Sequence, residues 1–449
     1  MRIDHVVLGF VVALLLVTAF VAYAWRPSIA PVEQPSPSSF DAALVAKGEA
    51  LARIANCNTC HTAEDGQSYA GGRPLKTPYG TIYGTNITPD PDTGIGRWPE
   101  EAFTRALREG VSREGRHLYP AFPYDHYALM PDEDVRALYA FMMTRDPVRS
   151  DVPANDLRFP FNVRMLVSAW KALYFDPAAP ATDPAQSAEW NRGAYLVEGP
   201  AHCGSCHTPR NMLGAEKKRK ELAGGEAEGW HAPAINAASA SALPWSAEAL
   251  YQYLRYGYAA KHPIAAGPMA EVVRNLSAAP EPEVRAIAAY IASSTGEDTA
   301  ERKQRADQIL ARVESDARAR AAEPAAPEAG GAAPQGPAGR GIYAGACASC
   351  HDSGRLAGSS GTALHLTLSS SVHLPTPRNV IRIILDGISP PAGERGPMMP
   401  GFAGALTDEQ LVALTRYLRS EFARGPPWRD VEDEMRKAQR EREQRLVMR

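Results

Sequence analysis

Two hydrophobic patterns organise the chain, one uninterrupted and one periodic. From Val6 to Trp25 there are 20 consecutive residues without a charge, long enough for a helix to cross a bilayer. Further along, apolar residues recur at i, i+3, i+4 and i+7 in three segments: DEDVRALYAFM, EPEVRAIAAYIA and DEQLVALTRYLR. This spacing predicts three amphipathic helices, and the acidic residues at the start of each suit a helix amino terminus.

The uncharged amino-terminal segment is either a membrane anchor or a signal peptide. Ala22, Tyr23 and Ala24 would serve as a small-residue cleavage site, but a secretory signal usually has a shorter apolar core. The length of the run and the aromatic Tyr23 and Trp25 at its far edge favour an uncleaved anchor. Both alternatives predict that the rest of the chain is exported.

The six cysteines form three pairs, and each pair is followed directly by a histidine, in CNTCH, CGSCH and CASCH. Two sulfurs one helical turn apart can form thioethers with the two vinyl groups of a porphyrin, and the next residue then offers its imidazole to the iron. The pattern predicts three covalently bound haem c groups, and the residues expected to hold them are Cys57, Cys60 and His61; Cys203, Cys206 and His207; and Cys347, Cys350 and His351.

A zinc site, a redox-active dithiol and disulfides are the alternatives for such cysteines. Zinc ligand pairs normally lie within a couple of dozen residues of each other, whereas these pairs are 146 and 144 residues apart. A redox dithiol does not need the trailing histidine, which is present in all three motifs. Haem therefore accounts for the pattern better than any of the three.

A short helical segment with small residues precedes each motif, and an amphipathic segment follows it, so one module repeats three times. A first helix crossing a last helix, with haem between them, is the plan of the small cytochrome c domain. We therefore expect an all-α protein of three tandem class I cytochrome c domains with an N-terminal membrane anchor helix. The expected boundaries are an anchor at 1–27, module 1 at 40–148, a packed connector at 149–186, module 2 at 187–297, a charged helix and Ala/Pro/Gly linker at 298–337, module 3 at 338–424 and a charged, solvated tail at 425–449.

The linker composition predicts that module 3 is more loosely tethered than the other two. The connector is too apolar for a free linker, and it is expected to pack against modules 1 and 2.

The sixth iron ligand is commonly a methionine in electron carriers, because the soft thioether favours Fe(II) and raises the potential. Met269, 62 residues after His207, and Met399, 48 residues after His351, lie in matching places of modules 2 and 3. Met398 is the alternative in module 3, but Pro400 directly after Met399 favours Met399.

Module 1 lacks a methionine at the corresponding place. Aligning its last helix with the other two puts the ligand between about positions 120 and 123, where Phe122 stands and cannot bind iron. His126 and Met130 are the tentative substitutes, and an iron without a sixth protein ligand is the remaining alternative. Met130 also suits a hydrophobic contact at the helix start, and Met142 and Met143 suit the core.

Composition restricts the range of partners. A net charge of −3 argues against nucleic acid as a partner, and 45% hydrophobic with 22% charged residues is ordinary for folded protein. No dinucleotide fingerprint or nucleophile constellation is present in the sequence, so a catalytic role of its own is not indicated.

With these residues identified, the chain resembles the membrane-anchored tri-haem cytochrome c subunits of bacterial periplasmic dehydrogenase complexes. The resemblance covers nearly the whole chain and includes TPYGTIYGTNITPDPDTGIGRW, GAYLVEGPAHCGSCHTPRN, GPMAEVV and MMPGFAGALTDEQL. The methionines of the last two segments, Met269 and Met399, match the distal ligands of that family. Relatives of the alcohol dehydrogenase type have methionine where this chain has Phe122, and the LYPAFPYDH form resembles the branch associated with molybdenum hydroxylases.

The resemblance implies partners and a place in the cell. The catalytic partner would be a molybdopterin subunit with a 2Fe–2S subunit, or a subunit that carries PQQ or FAD. The acceptor would be ubiquinone, a terminal oxidase or another cytochrome. The chain would be anchored in the inner membrane, with its haem domains in the periplasm.

The sequence leaves two hypotheses for the function of the chain. The first is an electron-transfer subunit, not itself an enzyme, that relays electrons from a dehydrogenase to the respiratory chain. The alternative is a haem enzyme of the peroxidase or nitrogen-oxide reductase type, with the first haem as an open catalytic site. Only Phe122 favours the alternative.

Overall fold

The computed structural model describes residues 2–176, 182–296, 299–322, 338–352, 364–390 and 398–447 of the chain. Most of the expected Ala/Pro/Gly linker lies outside the described residues. The α-helices are α1 Arg2–Ala24, α2 Ala42–Ile54, α3 Cys57–Cys60, α4 Glu100–Glu109, α5 Tyr124–Tyr127, α6 Asp132–Met143, α7 Leu166–Tyr174, α8 Ala188–Glu198, α9 Gly204–His207, α10 Ala247–Tyr256, α11 Pro268–Ser277, α12 Glu281–Ser294, α13 Ala300–Ala322, α14 Ala338–Ala346, α15 Ala348–His351, α16 Ser370–His373, α17 Arg378–Asp386, α18 Asp408–Phe422 and α19 Val431–Val447.

Within the described residues, two small antiparallel sheets accompany the helices. Their strands are β1 Pro74–Thr77, β2 Gly80–Tyr83 and β3 Asp156–Leu157 in one sheet, and β4 Gly225–Ala227 and β5 Trp230–Ala232 in the other. The predicted all-α class is confirmed in its main content, and the short hairpins are an addition that the sequence did not indicate.

The chain divides into two compact units. Unit 1 comprises Met1–Ser205, Arg210–Lys217 and Ala278–Ala286, and unit 2 comprises Cys206–Pro209, Lys218–Ser277 and Ile287–Arg449. The division does not follow the three expected modules, because segments of module 2 alternate between the two units.

In unit 1 the first and last helices of module 1, α2 and α6, cross at very short range. The carboxylate of Asp41 caps α2 by accepting from the amides of Ala43 and Leu44 at 2.9 and 3.0 Å. A Cβ atom at Gly48 would lie 1.9 Å from the carbonyl oxygen of Ala137, so only glycine permits this approach. The crossing gives module 1 the helix arrangement expected of a cytochrome c domain.

Asp134, at the start of α6, joins module 1 to the first helix of module 2. Its side chain is 3% exposed and lies 2.8 Å from the ammonium of Lys47 in α2. It also accepts a hydrogen bond from the hydroxyl of Tyr195 in α8. Because these contacts lie within unit 1, module 1 and helix α8 are held together as one body.

Replacing Asp134 by alanine should destabilise unit 1 by about 1–3 kcal/mol, because the Tyr195 hydroxyl loses its buried acceptor. Asp132 is the matched control, since it lies in the same helical turn and pairs with Arg108 at 2.7 Å but is 80% exposed. Asp132→Ala should change the stability by only about 0–1 kcal/mol. Denaturant unfolding of the two variants measures the difference, and equal midpoints would contradict the assigned role of Asp134.

Helix α1 is long and apolar enough to cross a membrane, with a mean hydropathy of 2.7 over His5–Ala24. Its last residue, Ala24, is buried, and the carbonyl oxygen of Ala24 accepts a hydrogen bond from Nε2 of His117 at 2.7 Å. Helix α7 of the connector packs against α1. The far end of the apolar helix is therefore fastened to module 1.

The connector is less covered than its composition predicted. Val167 and Lys171 of α7 are buried, but Phe159 is 80% and Leu173 is 70% exposed. Met212 is 92% exposed as well, and we call the three exposed side chains of Phe159, Leu173 and Met212 the connector patch. The connector still contacts both modules as expected, because Lys171 Nζ donates to the carbonyl of Gly110 at 2.8 Å and Trp170 Nε1 donates to that of Leu213 at 2.9 Å.

In unit 2 the first and last helices of module 3, α14 and α18, repeat the close crossing of module 1. A Cβ atom at Gly339 would lie 2.2 Å from the carbonyl oxygen of Ala413. Thr407 and Gln410 form a capping box at the start of α18, which fixes where the helix begins. Modules 1 and 3 therefore share both a helix arrangement and the position of its essential glycine.

The carboxy-terminal helix α19 differs from the solvated tail that its charge pattern suggested. Val431, Met435 and Ala438 are at most 3% exposed and belong to the hydrophobic core of module 3. Glu434, on the same helix, binds Arg378 of α17 through two hydrogen bonds of 2.7 and 2.8 Å. The charged residues of α19 in part serve this packing, rather than forming a wholly solvated face.

Module 3 is also attached to the second part of module 2 within unit 2. The side-chain amide of Asn379 in α17 donates to the carbonyl of His231 in β5, and its oxygen accepts from the amide of His231, both at 2.9 Å. The loose tether expected from the linker composition is therefore not observed in unit 2.

Candidate haem sites

The three cysteine motifs each form a short turn of helix, α3, α9 and α15. The amide of His61 donates to the carbonyl of Cys57 at 3.0 Å, and the amide of His351 donates to that of Cys347 at the same distance. No disulfide joins the six cysteines, all of which lie in the described part of the chain. The motifs thus have the helical turn that places two sulfurs and one imidazole on a common side.

The three motif histidines share one hydrogen-bond arrangement. Nδ1 of each ring lies against a backbone carbonyl oxygen, in the pairs His61 with Thr85 at 2.6 Å, His207 with Pro233 at 2.7 Å, and His351 with Leu364 at 2.8 Å. A carbonyl only accepts, so Nδ1 carries a proton, and in the neutral ring the lone pair then lies on Nε2. A contact of this kind fixes the tautomer and ring direction of an iron-binding histidine.

The protonation of two of these histidines agrees with that role. Burial lowers the pKa of His61 and of His207, against an opposing effect of the carbonyl that each ring contacts. Both imidazoles are therefore neutral at neutral pH, and a neutral imidazole is the form that binds iron.

Modules 1 and 2 also have the same backbone hydrogen bond at the motif histidine. The carbonyl of His61 accepts from the amide of Gly71, and the carbonyl of His207 accepts from that of Gly224, both at 2.7 Å. In both modules a nearby glycine lies so close to the backbone of the second cysteine that no other residue would fit. A Cβ atom at Gly84 would lie 1.8 Å from the carbonyl oxygen of Cys60, and one at Gly225 would lie 2.4 Å from that of Cys206.

The donor set and the Nδ1 contacts fit covalent haem c at all three motifs, and the repeated backbone adds to this at the first two. The carbonyl partners Thr85, Pro233 and Leu364 were not anticipated from the sequence. Any residue can supply a backbone carbonyl, so their identities carry no signal in the sequence.

The two methionines of module 3 have different surroundings. Met399 is partly buried and packs against the hydrophobic core of module 3, whereas Met398 is 49% exposed. The backbone of Met399 pairs with Ile388 in both directions, at 2.8 and 2.9 Å, which holds the residue in place. In module 2, Met269 is partly buried in the first turn of α11.

In module 1, Phe122 lies beside the motif's own core. Its ring packs against Tyr127 with centroids 5.3 Å apart, and both Phe122 and Cys57 contact the same hydrophobic cluster. Met130 belongs to that cluster at 1% exposure, in the place of a core residue. Met142 and Met143 are buried in it as well.

His126, the other tentative ligand, has both ring nitrogens engaged. Nδ1 contacts the carbonyl of Glu198 at 2.6 Å, and Nε2 contacts the carboxylate of Glu216 at 3.0 Å. Burial opposes the charged form, but the hydrogen bond and charge of Glu216 raise the pKa of His126 to about 9. In this arrangement the ring is an imidazolium that donates twice and has no lone pair for iron.

The same groups could in principle hold a metal ion of another kind. Asp125, His126 and Glu216 place their ligand atoms within 4.8 Å of one another. Arg210 also lies 3.4 Å from Glu216, so the carboxylate already has two cationic partners. An ion-paired cluster explains these contacts without a metal.

Comparison with protein families gives two matches. Residues 45–146 match the cytochrome c family, and residues 334–418 match the family described as cytochrome c oxidase, cbb3-type, subunit III. These ranges contain the first and third cysteine motifs.

Individual proteins are similar over most of the chain. The fructose dehydrogenase cytochrome subunit of Gluconobacter japonicus is 37% identical over 87% of this chain and 81% of its own length. The gluconate 2-dehydrogenase cytochrome c subunit of Pantoea cypripedii is 35% identical over 85% of this chain and 86% of its own. A nicotinate dehydrogenase subunit of Pseudomonas putida is 44% identical over 90% of this chain, which spans only 32% of that protein.

Proposed function

Because this chain belongs to the family of cytochrome c subunits of dehydrogenase complexes, we propose that it carries three haem c groups and relays electrons between a dehydrogenase and the respiratory chain. Haem 1 would be attached at Cys57 and Cys60, haem 2 at Cys203 and Cys206, and haem 3 at Cys347 and Cys350. The chain transfers electrons for a catalytic subunit and does not itself turn over a substrate, as in the relatives that it resembles.

One observation carries the number of haems. His61, His207 and His351 all hold Nδ1 against a backbone carbonyl, at 2.6 to 2.8 Å, which leaves Nε2 as the nitrogen available to iron in each ring. A histidine of a zinc site would bring further thiolates or histidines into reach. Three identical arrangements in three motifs support three sites of one kind.

The chain's own residues would attach each haem, orient the histidine that binds its iron and adjust its reduction potential. The cysteines fix each haem covalently, the carbonyl partners orient the histidines, and Met269 and Met399 supply thioethers to haems 2 and 3. Bound haem contributes a one-electron iron couple, whose potential the sixth ligand adjusts.

The catalytic partner that we propose is of the molybdenum hydroxylase type, with a molybdopterin subunit and a 2Fe–2S subunit. Phe122 and the similarity to a nicotinate dehydrogenase subunit support this choice over a PQQ or FAD subunit. Ubiquinone, a terminal oxidase or another cytochrome would accept the electrons. Helix α1 would anchor the chain in the inner membrane, with the haem domains on the periplasmic side.

The test is to produce the full chain with a cytochrome c maturation system and determine haem per polypeptide by mass and by haemochrome absorbance. Three covalent haems are expected, and a count of two or fewer would overturn the three-site proposal. Isolation of the native complex then identifies the catalytic subunit. A chain that purified alone and oxidised a substrate without any partner would contradict the relay.

Of the three haems, haem 1 should be the one whose iron has no sixth ligand from the protein. Phe122 cannot bind iron, His126 is engaged at both nitrogens, and Met130 lies in the core. Carbon monoxide added to the reduced protein should therefore shift the spectrum of one haem only, and Phe122→Met should abolish the shift. An unchanged spectrum in the unsubstituted protein would show that a protein ligand closes haem 1.

A further inference from the structure

The attachment segments of haems 1 and 2 touch through a hydrogen bond in unit 1. Nε2 of His202, the residue directly before Cys203, lies 3.1 Å from the carbonyl oxygen of Ala55, which is two residues before Cys57. The Tyr127 hydroxyl donates to the same oxygen at 3.2 Å, and a carbonyl oxygen has lone pairs for both donors. The hydrogen bond from His202 thus joins the two cysteine-bearing turns.

The direction of the hydrogen bond is defined by chemistry. A backbone carbonyl can only accept, so His202 must carry its proton on Nε2. Burial, and secondly the charge of His126, lower the pKa of His202 to about 4, so the ring is neutral and donates at any pH near neutrality. The hydrogen bond from His202 to Ala55 is therefore present throughout the physiological pH range.

The backbone at His202 is held in an uncommon conformation. Its φ is +39°, in the left-handed region that residues other than glycine adopt uncommonly, although asparagine, aspartate and histidine adopt it more often than the rest. Asn56, the residue before Cys57, has a φ of +51°, so the two turns start alike. Glycine would adopt this conformation more easily than histidine, because it has no Cβ atom.

We infer that electrons pass between haem 1 and haem 2 through the hydrogen bond from His202 to the carbonyl of Ala55. The inference rests on the proposed three-haem function. Tunnelling through covalent bonds and a hydrogen bond decays less steeply with distance than tunnelling across a gap, so a bonded bridge between the two attachment turns favours exchange there. One electron moves, one haem is oxidised as the other is reduced, and His202 keeps its Nε2 proton throughout.

His202 is thus a positioning residue for the relay, since it bridges the two turns without binding iron. Two substitutions remove the bridge. His202→Gly relieves the backbone strain and should fold readily, and His202→Phe keeps the ring volume but has no donor. His202→Gln is the conservative variant, because its side-chain amide can still donate to the Ala55 carbonyl.

The experiment uses the full three-haem chain in detergent. A light-activated ruthenium reductant injects one electron, and time-resolved absorption follows its redistribution between haem 1 and the methionine-ligated haems, whose ferric near-infrared absorption differs. The exchange should slow several-fold in His202→Gly and His202→Phe and should keep nearly the unsubstituted rate in His202→Gln. Redox titration of each variant corrects the rates for any change in potential.

The outcomes separate the bridge from the function on which it rests. If the unsubstituted chain holds fewer than three haems or shows no exchange phase, the proposed relay itself is wrong. If the unsubstituted chain exchanges and both His202→Gly and His202→Phe exchange equally fast at matched driving force, only the bridge is refuted. A His202→Gln variant as slow as His202→Gly would also refute it, because the restored donor would have no effect.

Discussion

Replacement of Met399 by alanine should lower the midpoint potential of haem 3 and open its iron to carbon monoxide. The thioether favours Fe(II), so its loss should move the potential by a sizeable part of the ~0.8 V range that axial ligands span. Spectroelectrochemical titration of the full chain measures the potential. The carbon monoxide difference spectrum of the variant should show two haems that bind carbon monoxide, haem 3 in addition to haem 1.

Met398 provides the matched control one residue away. Its side chain is 49% exposed, whereas that of Met399 packs against the module 3 core. Met398→Ala should therefore leave the potential of haem 3 and its response to carbon monoxide unchanged. The reverse result, with Met398→Ala active in both measurements and Met399→Ala silent, would assign the thioether to Met398.

Glu434→Gln should destabilise module 3 by about 1.5–3 kcal/mol, because Arg378 loses charge-assisted hydrogen bonds but keeps its ion pair with Glu226 at 3.0 Å. The Arg378 side chain is 9% exposed and that of Glu434 is 13%, so water cannot replace the lost contact well. Glu432, in the same first turn of α19, is 40% exposed and pairs with Arg416. Glu432→Gln should cost about 0–1 kcal/mol, and denaturant unfolding of the two variants compares them directly.

The same pair gives a sign for the pH dependence. The hydrogen bond from Arg378 holds the pKa of Glu434 below its ordinary value of 4.5. Glu434 therefore contributes stability above pH 4.5, and this contribution is lost as the pH falls through the depressed folded-state pKa. Acid unfolding of Glu434→Gln should lack this component. Parallel acid profiles for the variant and the unsubstituted chain would contradict the assignment.

Features that depend on local spacing can be predicted from the sequence. The three C-x-x-C-H motifs, the apolar helix α1 and the periodic helices α6, α12 and α18 need only residues that are close in the chain. Pro400 favours the adjacent Met399 over Met398 as a ligand, and the exposure of Met398 supports that preference.

Features that depend on distant contacts are not predictable in the same way. Arg378 and Glu434 are 56 residues apart, so the charge pattern of α19 alone favours a solvated helix. His126 is a reasonable candidate ligand by its place in the sequence, but its contacts with Glu198 and Glu216 account for both nitrogens. His202 carries no signal at all, because its partner is a backbone carbonyl in another module.

The connector patch has a practical consequence for purification. Deleting α1 is the usual route to a water-soluble version of an anchored protein, but Phe159, Leu173 and Met212 would stay uncovered in the shortened chain. Large exposed apolar side chains add to the tendency of a protein to associate with itself in water. Preparations of the chain without α1 should therefore still need detergent to remain monodisperse. Samples of that shortened chain without detergent should contain aggregates.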